Sequence, residues 1–167
     1  LVGNPGTSHV QRAQELRDEA ERIHACLAGF SAYNNPLFRV EHYARNTLAD
    51  GRAWVFKRTN LLLDLKVQSI EDYAYCAANL AHLRTILVNK WVIAECSRYT
   101  KGGFGNLESR MERRRLECAY LVDKYKGILS YGKKKGWPAG THLKFKTLST
   151  ERLASLYLKN RRAVSAS

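Results

Sequence analysis

Apolar residues recur at steps of three and four along most of the chain, the spacing of amphipathic helices packed on a common core. The first such seam runs through Ala13, Leu16, Ala20, Ile23, Leu27 and Phe30. Ser8 is placed to cap it, Glu15, Asp18, Glu19 and Glu21 line its polar side, and Asn34-Asn35-Pro36 closes it. Leu37, Val40, Ala44 and Leu48 predict a shorter helix over 37–49, ending near Asp50-Gly51. Ala53-Trp54-Val55-Phe56 has strand propensity, but Leu61, Leu62 and Leu65 continue at helical spacing, so a helix over about 52–66 is expected.

Ser69 with Asp72 resembles a capping pair and opens the longest seam, Ile70, Tyr73, Ala77, Leu80, Leu83, Leu87, Trp91 and Ala94, which reaches Gly102. As one helix it would be about 45 Å long, at about 1.5 Å per residue. Gly102-Gly103-Phe104-Gly105-Asn106 is a loop, with Asn106 capping a helix through Leu107, Met111, Cys118, Val122, Tyr125 and Leu129 to about Tyr131. Residues 132–148, with Gly132, Gly136, Pro138 and Gly140, form an irregular basic connection. Ser149 then caps a short terminal helix through Leu153, Leu156 and Tyr157. The expected fold is therefore all-α: one domain over 1–167, a bundle of four to five main helices with an N-terminal arm (1–8), the basic connection and a flexible tail (163–167).

The composition supports a folded chain and adds a strong charge. Of 167 residues 45% are hydrophobic, and 28 Lys and Arg stand against 15 Asp and Glu, a formal charge of +13. Polyanions are the expected partners. The excess is uneven, since residues 101–167 hold 16 basic and 5 acidic side chains and residues 1–100 hold 12 and 10. Steps of three and four put Arg110, Arg113 and Arg114 on one helix face with Arg115 beside them, a display of guanidinium forks suited to phosphate. Glu108, Glu112 and Glu117 lie within a turn of them, which leaves ordinary surface pairing as the competing reading. Lys133-Lys134-Lys135 with Trp137, then Lys144-Phe145-Lys146, interleave cations with aromatics, the pattern of surfaces that track phosphates and stack unpaired bases. Trp137 is equally suited to anchoring its loop in the core. Lys159, Arg161 and Arg162 extend the basic character into the last helix.

Catalytic and metal signals are absent from the pattern. Cys26, Cys76, Cys96 and Cys118 are widely spaced and read as small buried hydrophobes in a cytoplasmic or other reducing compartment. His9, His24, His42, His82 and His142 lack ligand spacing, and neither Gly3 to Ser8 nor Gly102 to Gly105 completes a nucleotide-binding motif. No metal or cofactor is expected, and no enzymatic activity. No apolar run is long enough to span a membrane. Met111 is the only methionine, so Leu1 is expected to follow a processed or trimmed N-terminus, with room for a removed targeting segment.

Over about 52–136, the words Tyr75-Cys76-Ala77-Ala78-Asn79-Leu80-Ala81-His82-Leu83-Arg84 and Lys126-Gly127-Ile128-Leu129 resemble the four-helix-bundle accessory proteins of diversity-generating retroelements. That resemblance covers about half the chain and implies a basic, non-catalytic oligomer, a ring of bundles holding template RNA beside a reverse transcriptase. Against the family pattern stand a longer first helix, a longer loop at Gly102 to Asn106, and Tyr131-Gly132 where the family tends to have Gly-Trp.

The functional expectation is a non-catalytic nucleic-acid-binding subunit of a nucleoprotein assembly, with RNA favoured over DNA because Trp137 and Phe145 offer stacking surfaces. The alternatives are a coat or packing protein that self-assembles around a genome or within a large ribonucleoprotein, and an accessory protein of a reverse transcriptase. Leu16, Ile23 and Phe30 facing another copy would mark self-assembly.

Overall fold

The computed structural model describes residues 8–31, 43–57, 60–93, 107–146 and 149–165. In chain order they form α1 (His9–Arg22), β1 (Leu27–Ser31), β2 (Tyr43–Arg45), β3 (Trp54–Phe56), α2 (Glu71–Ala81), β4 (Ile86–Ile93), α3 (Leu107–Lys124), β5 (Leu129–Tyr131), β6 (Leu143–Phe145) and α4 (Thr150–Ser165). The fold mixes helices and two sheets, which overturns the expected all-α bundle. The four-helix bundle implied by the retroelement resemblance is not formed either: Tyr75–Arg84 spans the end of α2 and its break, and Lys126–Leu129 is a turn entering β5. The residues group into two compact units, one of 1–62 with 84–100, the other of 63–83 with 101–167.

In the first unit α1 starts where the sequence predicts. The Ser8 hydroxyl accepts from the Gln11 amide at 3.1 Å, and the Ser8 amide donates to Gln11 Oε1 at 2.8 Å, a complete capping box. The helix then stops at Arg22 instead of continuing to Asn34. His24 takes a left-handed φ of +56°, and the chain leaves as a strand. Leu27, Ala28, Gly29, Phe30 and Ser31 are all buried, so β1 is covered on both faces. Its apolar residues stay in helical phase with α1 by coincidence, which is why the seam alone misreads them.

The sheet order is β2-β4-β1-β3. β1 and β4 run parallel, with Leu27 opposite Ile86 and Gly29 opposite Val88, while β2 and β3 pair antiparallel at the two edges. Asn89 builds an irregularity into β4, its Oδ1 accepting from the Trp91 and Val92 amides at 2.9 and 3.0 Å, where the register with β1 shifts after Phe30. Leu16, Ala20, Ala25, Ala28, Phe30, Leu87 and Val92 form the core, with Ile23 packed against it. Leu16 and Phe30 are thus committed to their own unit and are not a seam for another copy. On the opposite face of β1, a Cβ at Gly29 would lie 2.8 Å from that of Ala49, so only glycine fits there. The strand that β propensity proposes at Trp54–Phe56 is real, and the helix expected over 52–66 is not formed. Of the helix expected over 37–49, Tyr43–Arg45 is a strand and 37–42 lie outside the described residues.

In the second unit α2 begins at Glu71 after Ile70, without a side-chain cap, so Ser69 and Asp72 do not form the expected capping pair. Eight successive residues, Tyr73 to Leu80, are buried. The helix expected to reach Gly102 ends at Ala81: Leu83 has φ +56°, and the chain continues as β4. α3 ends at Lys124 rather than Tyr131, and Leu129–Tyr131 pairs antiparallel with Leu143–Phe145, inside the stretch expected to be irregular. Ser149 caps α4 as expected, its hydroxyl accepting from the Arg152 amide at 3.3 Å, and α4 runs through to Ser165, into the expected tail. Asp64 fastens the segment before α2 onto α3, accepting from Tyr120 Oη at 2.9 Å and Lys124 Nζ at 2.6 Å. Desolvation would raise the Asp64 carboxyl, but the bonds from Lys124, the Lys66 amide and Tyr120 outweigh it and hold it below the ordinary range. No helix among the described residues is long and apolar enough to cross a membrane.

Candidate nucleic-acid interface

The four arginines singled out on α3 have four different fates. Arg114 is half-buried; its Nε donates to the Thr141 carbonyl at 2.7 Å and its Nη1 to the Ser69 carbonyl at 3.3 Å. One turn on, the buried Glu117 carboxylate accepts from the Gln68 and Ser69 amides at 2.9 and 3.1 Å and from the Ser69 hydroxyl. Arg114 and Glu117 therefore grip both sides of Ser69, and Glu117 spends its charge on backbone instead of neutralising a neighbouring arginine. Arg113 is exposed and donates only to the Gln68 side-chain carbonyl, at 3.3 Å. Arg115 is exposed and forks onto Glu112 at 3.0 and 2.7 Å, which raises its pKa and lowers that of Glu112. Arg110 is half-buried and has partners within the fold.

The lysine-rich segment is the connection of the β5–β6 hairpin. The ladder ends at Tyr131 opposite Leu143 and is extended by the Gly132 amide donating to the His142 carbonyl at 2.9 Å. A Cβ at Gly132 would sit 2.7 Å from the His142 ring, so a larger residue there would have to displace the imidazole. Lys133, Lys134 and Lys135 follow, all exposed. The Trp137 amide returns to the Lys134 carbonyl at 3.1 Å, and Gly136, at φ +77°, makes that turn without strain. Thr141 is buried, with its hydroxyl donating to the Pro138 carbonyl at 2.6 Å.

Trp137 lies half-buried beneath cations. Lys134 Nζ is 3.8 Å from its ring centroid and Arg114 Cζ 5.0 Å. An atom at 3.8 Å can only be above the ring face, since edge contacts begin at about 5 Å, so the indole serves as a cation–π brace between α3 and the loop. His142 shares this surrounding. Burial, and then the charges of Lys134 and Arg114, push its pKa below the ordinary value and keep the imidazole neutral at pH 7. Phe145 faces inward and stacks on Tyr73 of α2, with centroids 5.7 Å apart and planes 7° from parallel. Lys144 and Lys146, to either side of it, are exposed.

The structure therefore brings Arg114, Arg115, Lys134 and Trp137 together: Arg114 reaches both the ring and Thr141, and Gly140 lies beside Arg115. Among the described residues, Lys133, Lys135, Lys144 and Lys146 form no ion pair. The side chains of Lys159, Arg161 and Arg162 lie outside the described set. The two aromatic positions expected to offer stacking surfaces have contacts within the fold: Phe145 is packed on Tyr73, and Trp137 lies under Lys134 and Arg114. His142 and Tyr131 went unnoticed as neighbours of the site. The signal for them is the Tyr131-Gly132-Lys133 word itself, obscured once a helix is drawn through Leu129.

No group of three or more His, Cys, Asp or Glu side chains able to hold a metal occurs among the described residues. Cys26 and Cys118 are free thiols, Cys76 is buried, and Cys96 lies outside the described set. Burial pushes the Cys118 thiol up to about 11, so it stays protonated and inert at neutral pH. The chain matches no described protein family, no curated protein and no solved structure.

Proposed function

We propose that this protein binds nucleic acid through its phosphate backbone, without catalysis, using the β5–β6 connection and the adjoining face of α3. The observation that carries the reading is the exposure of Lys133, Lys135, Lys144 and Lys146, without carboxylate partners among the described residues, around a loop braced by Arg114 and Trp137. Lysines so displayed place point charges against phosphate oxygens and release condensed counterions, a sequence-independent gain. The brace matters because an ordered loop loses less conformational entropy when it binds.

A titration across salt tests this. For about six phosphate contacts, log affinity should fall against log salt with a slope near −4 on single strands and near −5 on duplex DNA. Replacing Lys133, Lys134 and Lys135 together by alanine should reduce that slope by about 2 on single strands and weaken all sequences alike. A flat salt response in the wild type, or unchanged affinity in the triple variant, overturns the reading.

A further inference from the structure

If the loop binds phosphates, the remaining question is whether anything beside it can touch a base. Trp137 and Phe145, the obvious aromatics, are both engaged, one by Lys134 and Arg114 and the other by Tyr73. Tyr131 is different. It is 47% exposed at the last position of β5, immediately before the Gly132-Lys133 entry to the loop. Its backbone is fixed by the ladder opposite Leu143 and by the Gly132 to His142 bond one residue on, so the ring is carried on an ordered strand end. An exposed ring on an ordered strand end, with the lysine run following in sequence, has the elements of a stacking platform beside a phosphate track.

We infer that Tyr131 is the base-stacking residue of this surface and that its partner is an unpaired nucleic-acid strand. This rests on the phosphate-binding reading above. In a duplex the base faces are buried in the stack, so Tyr131 adds nothing there. On a single strand one base turns onto the ring while a flanking phosphate meets Lys133. Since every base has a π face, the contact favours unpaired strands without selecting a sequence.

The test compares a twelve-residue oligouridylate, a strand of equal length carrying abasic positions, and a twelve-base-pair duplex. Wild-type protein should bind the oligouridylate at least about fivefold more tightly than the abasic strand. Tyr131→Ala should lose about five- to a hundredfold on the oligouridylate, erasing that difference, while its duplex affinity and its salt slope stay as in the wild type. Tyr131→Phe should keep the difference, because the ring and not the hydroxyl does the stacking. Circular dichroism and urea unfolding of each variant check that the hairpin is intact. Equal wild-type affinity for the uridylate and abasic strands overturns the inference, as does a base-dependent difference that survives in Tyr131→Ala. A wild type that binds no strand, or binds without salt dependence, instead overturns the phosphate reading beneath it.

Discussion

The arginines of α1 and those of α3 look alike in sequence; Arg115 forks onto Glu112 as the α1 arginines do onto their own carboxylates, but Arg113 and Arg114 are held differently. On α1, Arg12 pairs with Glu15 at 2.8 Å, Arg17 with Asp18 at 2.8 Å and Glu21 at 3.8 Å, and Arg22 with Glu19 at 2.6 Å. Arg17 and Arg22 lie on a solvated face of alternating sign, where such pairs add little to stability. On α3, Arg114 bonds to two carbonyls and Arg113 to an amide, and Glu117 is turned onto backbone amides. The first unit holds 11 basic and 7 acidic residues, the second 17 and 8. What separates them is the larger count of cations together with the use of Glu117, which holds backbone where Glu112 and Asp64 hold cations. Where carboxylates cap arginines the charge is spent, and where they hold backbone it remains on display.

Four variants sharpen or break this contrast, the largest effect first. Glu117→Ala removes the acceptor for two amides and a hydroxyl at a buried position, and should cost about 3 kcal/mol or more, read as a drop in the urea midpoint. A drop no larger than that of Glu15→Ala would mean that Glu117 is an ordinary surface carboxylate after all. Arg114→Ala should cost about 2 kcal/mol, and Lys should not restore it, because the guanidinium fork reaches Thr141 and Ser69 together. Leu83→Gly relieves a left-handed residue that is partly exposed and should stabilise by up to about 1 kcal/mol in urea unfolding. Arg17→Ala, at an exposed position, should stay within about 0.5 kcal/mol and leave nucleic-acid affinity unchanged in the same titration.

The smallest effect is in pH dependence. The native state holds His142 below its ordinary value, so just beneath pH 6.5 the unfolded chain binds more protons. Its contribution to stability is complete above that pH and is lost as the pH falls through the native value. Lys134→Ala removes one of the charges responsible and should move the His142 titration upward by NMR; a downward or absent shift would separate Lys134 from the Trp137 and His142 cluster.

Much of this was legible residue by residue where the signal is local. Ser8 and Ser149 cap the helices they were expected to cap, the start of α3 and its basic face stand out, and the lysine-rich connection lies between Gly132 and the final helix as expected. The breaks in two helices were not legible, because His24 and Leu83 occupy left-handed positions where glycine is the usual sign. The apolar runs beyond them, Leu27–Phe30 and Ile86–Val88, keep helical phase although they form strands. A strand buried on both faces has no polar alternation to show.

By itself, then, the amino-acid order determined where charge accumulates and where α1 and α4 begin, since composition and capping act over a few neighbouring residues. Only the tertiary structure decided that two apolar runs nearly sixty residues apart would pair in parallel, that Phe145 and Trp137 would be engaged while Tyr131 stays open, and that Glu117 would hold backbone instead of an arginine. Those outcomes depend on which groups meet across long stretches of chain, and hydrogen bonds, ring stacking and charge pairing are settled by distance in space.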